Sequence, residues 1–206
     1  MTKGLWLADM PLVLASGSAT RRGMLEAAGI PVETSPAMID ERNVDDAARR
    51  AGAAAATVAA LLARAKAMEV SARYPGRLVL GADQTLACEG RQYDKPANVA
   101  EGREHLAAFS GRAHHLHSAA ALVKDGGLVA ETQSSAELTM RRLGPEFIDA
   151  YVTAVGPKVM TSVGGYQLEG LGSQLFDRID GDHFTILGLP LLPLMGHLRA
   201  AGYLAE

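Results

Sequence analysis

Three kinds of residue carry the chemistry in this chain, and each recurs beside a break in an apolar run. Ser16-Gly17-Ser18-Ala19-Thr20-Arg21-Arg22 follows the apolar Leu12-Val13-Leu14-Ala15. Small residues and hydroxyls at a strand-to-helix turn expose backbone amides, and two guanidiniums alongside them favour a phosphate. The segment lacks the lysine and glycine spacing of a P-loop, and in isolation an N-cap with two solvated arginines is the better account of it. The acids Asp40, Glu41 and Asp83 are the best candidates for a magnesium site, which takes a few carboxylates and completes its shell with water and phosphate oxygens. Lys66 and Lys95 are placed to neutralise phosphate charge, although a snorkelling surface lysine is the commoner role.

Other reactive residues point nowhere. His114, His115 and His117 lie in an extended segment, so His115 and His117 share a face and His114 takes the other. That spacing disfavours a three-histidine zinc site and is read as strand surface. Cys88 sits among apolar residues with no histidine near it, as a small packing residue does. No GxSxG or HExxH motif occurs. Water attacking a metal-bound phosphoryl centre is the chemistry for which basic turn, acids and lysines are all present.

The elements that must position these groups follow from periodicity. Leu12–Ala15 reads as a buried strand, 19–28 as a helix stopped by Gly29, and 31–35 as a second strand. Residues 38–46 read as an acid-rich polar loop. The alanine-rich 47–72 reads as a long helix with Val58, Leu61, Leu62, Ala65 and Met68 on one face, with Gly52 able to split it. Leu78–Ala82 is an apolar strand that places Asp83 at its carboxyl end or at a bulge, with 84–88 available to continue it. Asn98 caps a helix reaching Phe109. Residues 114–123 and 128–140 form a hairpin through Asp125-Gly126-Gly127. Pro145 opens a helix to about Val152, a glycine-rich stretch spans 164–172, and an apolar helix closes the chain over 189–204. Strands mixed with helices and a central hairpin indicate an α/β or α+β fold with a mixed sheet rather than regular alternation, with residues 1–206 as a single domain.

Bulk composition excludes several classes. The chain has 206 residues, 48% of them hydrophobic, and a net charge of −3 with no basic tract, so no nucleic-acid partner is expected. Asp9 and Pro11 interrupt the amino-terminal apolar run, and no segment reaches ~18 apolar residues, so neither a signal nor a membrane span is expected. One cysteine forms no internal disulfide and suits a reducing cytoplasm.

Taken in order, Leu14-Ala15-Ser16 with Arg21-Arg22, Ile39-Asp40-Glu41, Ala65-Lys66-Ala67, Gly81-Ala82-Asp83, Lys95-Pro96, Ser110-Gly111-Arg112 with His114, and Gly188-Leu189-Pro190 resemble the Maf family of nucleotide pyrophosphatases over essentially the whole chain. The resemblance implies an elongated, bilobed fold shared with inosine triphosphate pyrophosphatases, with a nucleoside triphosphate in the cleft between lobes. It implies hydrolysis between the α- and β-phosphates, yielding a nucleoside monophosphate and pyrophosphate. Asp83, Glu41 and Lys95 become catalytic. Ser16, Arg21, Arg22 and Lys66 become phosphate-side groups, and Glu41 with Asp83 the ligands of a divalent Mg²⁺ or Mn²⁺.

The branch acting on dTTP and UTP usually has threonine after the catalytic aspartate, lysine before the late tyrosine stretch and Ile-Gln-Gly after it. Here Gln84, Ser162 and Leu168-Glu169-Gly170 stand in those places, which is similar to the 7-methyl-GTP branch, except that Thr20 stands where that branch tends to have tryptophan. Thr20, Gln84 and Glu169 are therefore the base-specificity positions. A carboxylate at Glu169 suits the N1–H and N2–H₂ donors of guanine. The family also leaves open a homodimer, for which the apolar carboxyl-terminal helix is a physical hint, and a non-catalytic nucleotide-binding regulator of septum formation.

Overall fold

The computed structural model describes residues 4–206; residues 1–3, the start of the amino-terminal segment read above, lie outside the described residues. A seven-stranded mixed sheet runs in the order β2-β1-β3-β5-β6-β7, with β4 also paired to β3. Strands β1 (Leu12–Leu14) and β2 (Val32–Thr34) run parallel, joined through helix α1 (Ala19–Ala27), and β1 also pairs in parallel with β3 (Leu78–Cys88). The remaining pairings are antiparallel: β4 (Arg91–Tyr93), β5 (Ala113–Lys124), β6 (Gly127–Met140) and β7 (Phe176–Asp180). The β5–β6 turn uses left-handed Asp125 and Gly126, as the expected hairpin requires.

Strand β3 sets the architecture. It is unbroken, and Asp83 pairs with Ala119 in regular register, so the carboxylate lies in mid-strand rather than at a strand end or a bulge. The apolar pattern changes there instead. Leu78, Leu80 and Ala82 pack into one aliphatic core with Leu12, Leu14, Leu25 and Leu189. Further along the same strand, Leu86 and Cys88 join a second core built on Leu106, Phe109, Tyr151 and Tyr166. Asp83-Gln84-Thr85 separates the two cores, which are the two lobes.

Of the acid-rich 38–46 segment, read as a loop, only 38–40 is irregular; 41–46 is helical. Asp40 caps helix α2 (Glu41–Arg50), its Oδ1 accepting the Asn43 N–H at 3.1 Å. Glu41 sits in the first turn and Arg49 and Arg50 in the last, each sign complementing the helix dipole. Gly52, at φ +77°, does split the alanine-rich region, and α3 (Ala55–Arg73) follows. The buried face of α3 is Val58, Ala59, Leu62, Ala63, Lys66, Ala67 and Val70. Leu61 and Met68, expected on that face, are each 40% exposed. Small residues face the sheet because α3 lies directly against β3: a Cβ on Gly81 would come within 2.0 Å of the Ala63 carbonyl oxygen.

Helix α4 (Val99–Phe109) is capped by Asn98, and α5 (Pro145–Val155) opens on its proline. The expected carboxyl-terminal helix is shorter than 189–204. Gly188 has φ +100° and Pro190 is the cap, so a one-turn α6 (His183–Ile186) is set off from α7 (Leu191–Ala200), which stops before Gly202. Among the described residues no helix is long and apolar enough to cross a membrane.

Candidate active site

Along the edge of β3 that faces β1, parallel pairing reaches Leu80, and antiparallel pairing to β4 begins only at Leu86. The strand edge between them opens onto a cavity of about 830 Å³ at the carboxyl end of β1. Divergence of neighbouring strands beyond a parallel strand's carboxyl end is where α/β sheets form ligand crevices. A nucleotide-sized ligand fits that volume.

Both faces of β3 contribute. Asp83 points to the α3 side, 8% exposed, where the Lys66 ammonium donates to its Oδ1 at 2.6 Å. The same ammonium lies 2.8 Å from Glu41 Oε2 at the start of α2. A buried lysine needs such partners. Their meeting depends on Gly81, which lets α3 come close enough for Lys66 to reach. Burial pushes the Asp83 carboxyl above the usual carboxylate range, while the charges of Lys66 and Arg21 pull it back. The result is a proton acceptor with raised basicity facing the cavity.

The turn after β1 is held from within. Ser18 Oγ accepts the Arg21 N–H at 3.3 Å as the α1 cap, and Ser16 Oγ accepts from the Ser18 N–H at 3.2 Å. Arg21 donates through Nε to the Gly188 carbonyl at 2.8 Å and through Nη1 to the Ala82 carbonyl at 2.9 Å and Ser16 Oγ at 3.2 Å. Burial lowers its pKa, with Asp83 and Glu41 opposing, yet a guanidinium stays charged. Arg21 therefore ties the turn to β3 and to the α6–α7 connection as well as placing positive charge beside Asp83.

Gln84 points to the other face. Its amide nitrogen donates to the Thr185 carbonyl at 3.1 Å, the Ile186 carbonyl at 3.0 Å and Ser118 Oγ at 3.2 Å. Two carbonyl acceptors fix which end of the amide is nitrogen. Only its oxygen remains to accept from a ligand. Thr20, Gln84 and Glu169 line a recess of about 60 Å³, and Thr20 and Gln84 also line the main cavity. The three base-specificity positions are thus brought together, with Glu169 exposed rather than buried.

Ser16, Thr20, Arg21, Glu41, Lys66, Asp83, Gln84 and Lys95 share the main cavity. Arg22 is not brought there: it is exposed, 3.7 Å from Glu26 one turn along α1. Asp40 serves as the α2 cap and does not line the cavity. His114, read as strand surface, is fully buried. Its Nε2 lies 2.7 Å from the Tyr166 hydroxyl, its ring stacks on Phe109, and burial lowers its pKa to about 4. Tyr166 lines the recess and immediately precedes Gln167. His115 and His117 stack on the opposite face of β5, as strand alternation requires.

Arg42, Ser162 and Gln167 line the cavity without having been assigned to it. Arg42 carried no signal, because 38–46 reads as a loop; in the structure it is a cation in the first turn of α2, against the helix dipole. Among the described residues no cluster of three or more His, Cys, Asp and Glu side chains forms a metal cage. Asp83 and Glu41 instead converge on one cation, the Lys66 ammonium, and each keeps an oxygen not bonded to it. Two such carboxylates suit a magnesium-like ion that retains water and phosphate oxygens.

A mixed α/β fold whose cavity at the junction of two lobes gathers Asp83, Glu41, Lys66, Arg21 and Lys95 defines the class of protein. The chain belongs to the Maf family: residues 11–201 match the family described as Maf-like protein. It is 53% identical over 197 residues to a nucleoside triphosphate pyrophosphatase from Nitrobacter winogradskyi, covering 95% of this chain and 96% of that one. It is 51% identical over 191 residues to a 7-methyl-GTP pyrophosphatase from Rhizobium etli, covering 93% and 96%. A HAM1 protein from Coxiella burnetii aligns over 65% of this chain and 74% of its own, with 19% identity and a TM-score of 0.42, too loosely to carry an argument.

Proposed function

We propose that this chain is a nucleoside triphosphate pyrophosphatase, hydrolysing an NTP to an NMP and pyrophosphate. The observation that carries the reading is the Lys66 ammonium held between Asp83 and Glu41 on the wall of a nucleotide-sized cavity. Relatives bearing the pyrophosphatase name at about half identity support it.

In the proposed reaction Asp83 accepts a proton as water oxygen bonds to the α-phosphorus. The bond from that phosphorus to the α–β bridging oxygen breaks, and its electron pair leaves with pyrophosphate. Lys66 donates to Asp83 Oδ1 and orients the carboxylate that takes the proton. Lys95 and Arg42, exposed and with no ion-pair partner among the described residues, are free to neutralise the departing charge. Arg21 and the Ser16–Ser18 turn hold the α-phosphate side. Mg²⁺ or Mn²⁺, held by Asp83 and Glu41 and completed by the substrate, would supply charge neutralisation and acidify bound water.

For the base, we read the recess as a pair of acceptors. Glu169 and the Gln84 oxygen suit the donor edge of guanine, and the charge on Glu169 favours a cationic 7-methylated ring. A recess this small takes a base edge rather than a whole base. Because Glu169 is exposed, water compensates when a pyrimidine leaves it unmet, so the discrimination is on the order of tenfold rather than the full cost of a buried unpaired carboxylate. The test is kcat/KM for 7-methyl-GTP, GTP, dTTP and UTP with Mg²⁺ or Mn²⁺ and with chelator. Higher values for the guanine nucleotides support the reading, and a preference for dTTP or UTP moves the protein to the pyrimidine branch.

A further inference from the structure

The two lips of the cavity belong to different parts of the chain. One is α2, with Glu41 and Arg42 in its first turn, and the other is the segment leaving β4, with Asp94 and Lys95. Little apolar contact holds the first lip down: Ala48 is the one buried residue of α2, packed with Val58 and Leu62 of α3.

A polar bridge joins the lips instead. Arg49 donates through Nε to Asp45 Oδ1 at 2.7 Å and through Nη2 to Asp45 Oδ2, one turn back on its own helix. The same Nη2 reaches across to Asp94 Oδ1 at 2.8 Å. Gln92 Nε2 lies 3.5 Å from Asp45 Oδ1 and adds a second crossing from β4. The Asp45 fork fixes the guanidinium plane, so the direction in which Nη2 points at Asp94 is set by α2 itself. Asp94 directly precedes Lys95, and Pro96 follows it; Pro96 is buried, so the segment pivots between an anchored proline and the Asp94 contact.

We propose that Arg49 is a positioning residue: from behind the cavity wall that Asp45 and Asp94 line, it latches the two lips together and so presents Lys95 to the triphosphate. The proposal rests on the pyrophosphatase reading for its ligand, but the latch itself is a property of the apo chain. Glu41 is held independently by Lys66, so the chemical step keeps its carboxylates when the latch opens. What is lost is the placement of Lys95, which the substrate must then restore from its own binding energy. The latch is also exposed, with the Arg49 side chain 35% and the Asp94 side chain 68% accessible, and salt weakens such a bridge.

The experiment uses the full chain and four variants, Arg49→Ala, Arg49→Lys, Asp94→Asn and the double substitution Arg49→Ala with Asp94→Asn, with GTP as the probe. Arg49→Ala should raise KM about fivefold with kcat within about twofold, a size set by the modest worth of exposed ion pairs. Arg49→Lys, which keeps charge but cannot fork, should fall between it and the wild type. Asp94→Asn should add nothing further in the Arg49→Ala background, because both remove one interaction. Raising ionic strength should shrink the difference between wild type and Arg49→Ala, since the wild type loses its latch too. An unchanged KM at low salt, additive effects of the two substitutions, or a fall in kcat alone would overturn the latch. Hydrogen exchange separates this from failure of the functional reading. Without any substrate, Arg49→Ala should speed exchange in 41–50 and in the amides around Asp94 and Lys95 at unchanged Tm. Unchanged exchange at Asp94 and Lys95 overturns the latch whatever the enzyme hydrolyses, whereas faster exchange in a chain that turns over no NTP overturns the pyrophosphatase reading alone.

Discussion

The lobes at the two ends of β3 are packed by different means. In the lobe around β1 and α3, cores of leucine, valine and alanine cover both faces of the sheet, and a glycine meets a helix backbone with no room for a methyl group. In the lobe around α4 and α5, aromatic Phe109, Tyr151 and Tyr166 join a largely aliphatic core, and Gly164 and Gly165, both in left-handed conformations, turn the chain so that Tyr166 enters it. The first arrangement fixes helix and strand at short range and places Asp83, Lys66 and Arg21. The second anchors a loop at one aromatic point and leaves Gln167 and Glu169 near the recess. Under the proposed function, phosphate chemistry falls to Asp83, Lys66 and Arg21 of the rigid lobe, and base choice is shared between the anchored loop and Thr20 and Gln84.

Changes in the rigid lobe should affect turnover or folding for every base alike. Asp83→Asn should lower kcat at least about a hundredfold, the scale of a lost general base, without unfolding the protein. Its effect on stability has a defined sign. The folded Asp83 carboxyl is raised, so the wild type loses that residue's contribution as pH climbs from the ordinary aspartate range through the raised value. Asp83→Asn should therefore gain in Tm relative to the wild type over that interval. For the active enzyme, kcat/KM should fall with acidification at a pH above the usual carboxylate range, read from a pH–rate profile.

Lys66→Met should destabilise strongly, by about 3–5 kcal/mol in a denaturant titration, because it strands a buried carboxylate. Gly81→Ala should cost at least about 1–3 kcal/mol, as forced overpacking does, and separate Lys66 from Asp83. Equal stability of Gly81→Ala and wild type would mean that close helix contact is not what places the site.

Lys95→Ala should reduce kcat/KM about tenfold for all four nucleotides together, with Tm unchanged. Arg21→Ala should do the same and also lower Tm, since Arg21 bonds the Gly188 and Ala82 carbonyls. A change of base preference in either would move that residue to the recess.

The smallest effects belong to the anchored loop. Tyr166→Phe removes the hydroxyl partner of buried His114 and should cost about 1–3 kcal/mol while narrowing the ratio of guanine to pyrimidine kcat/KM. Glu169→Gln should narrow that ratio with no measurable change in stability. If Tyr166→Phe lowered all four rates equally, the loop would belong functionally to the rigid lobe.

Much of this was legible in the residues. The strands and helices of the parallel lobe follow from apolar runs bounded by Ser18, Gly29 and Gly52, and ordered short blocks pointed to the residues that now share one cavity. The helical start at Glu41 was hidden because the segment is strongly polar overall, its helical period carried only by Val44, Ala47 and Ala48, and Asp40 acts as a cap only once Asn43 turns back to it. The α3 face was misjudged from bulk, since close approach favours alanine over leucine at the contact. His114 alternates in sequence as a surface residue would. Its burial comes from Phe109, Tyr166 and Phe176, which converge on it from three distant segments. Arg49 and Asp94 lie 45 positions apart, and no local pattern joins them.

The central claim is the bond that breaks. Phosphorus NMR of GTP incubated with the wild type and a divalent cation resolves pyrophosphate from orthophosphate and GMP from GDP as they form. Equal amounts of GMP and pyrophosphate are expected with neither GDP nor orthophosphate, and at least about a hundredfold slower change with Asp83→Asn. Appearance of GDP with orthophosphate, or undiminished pyrophosphate release by Asp83→Asn, would contradict it.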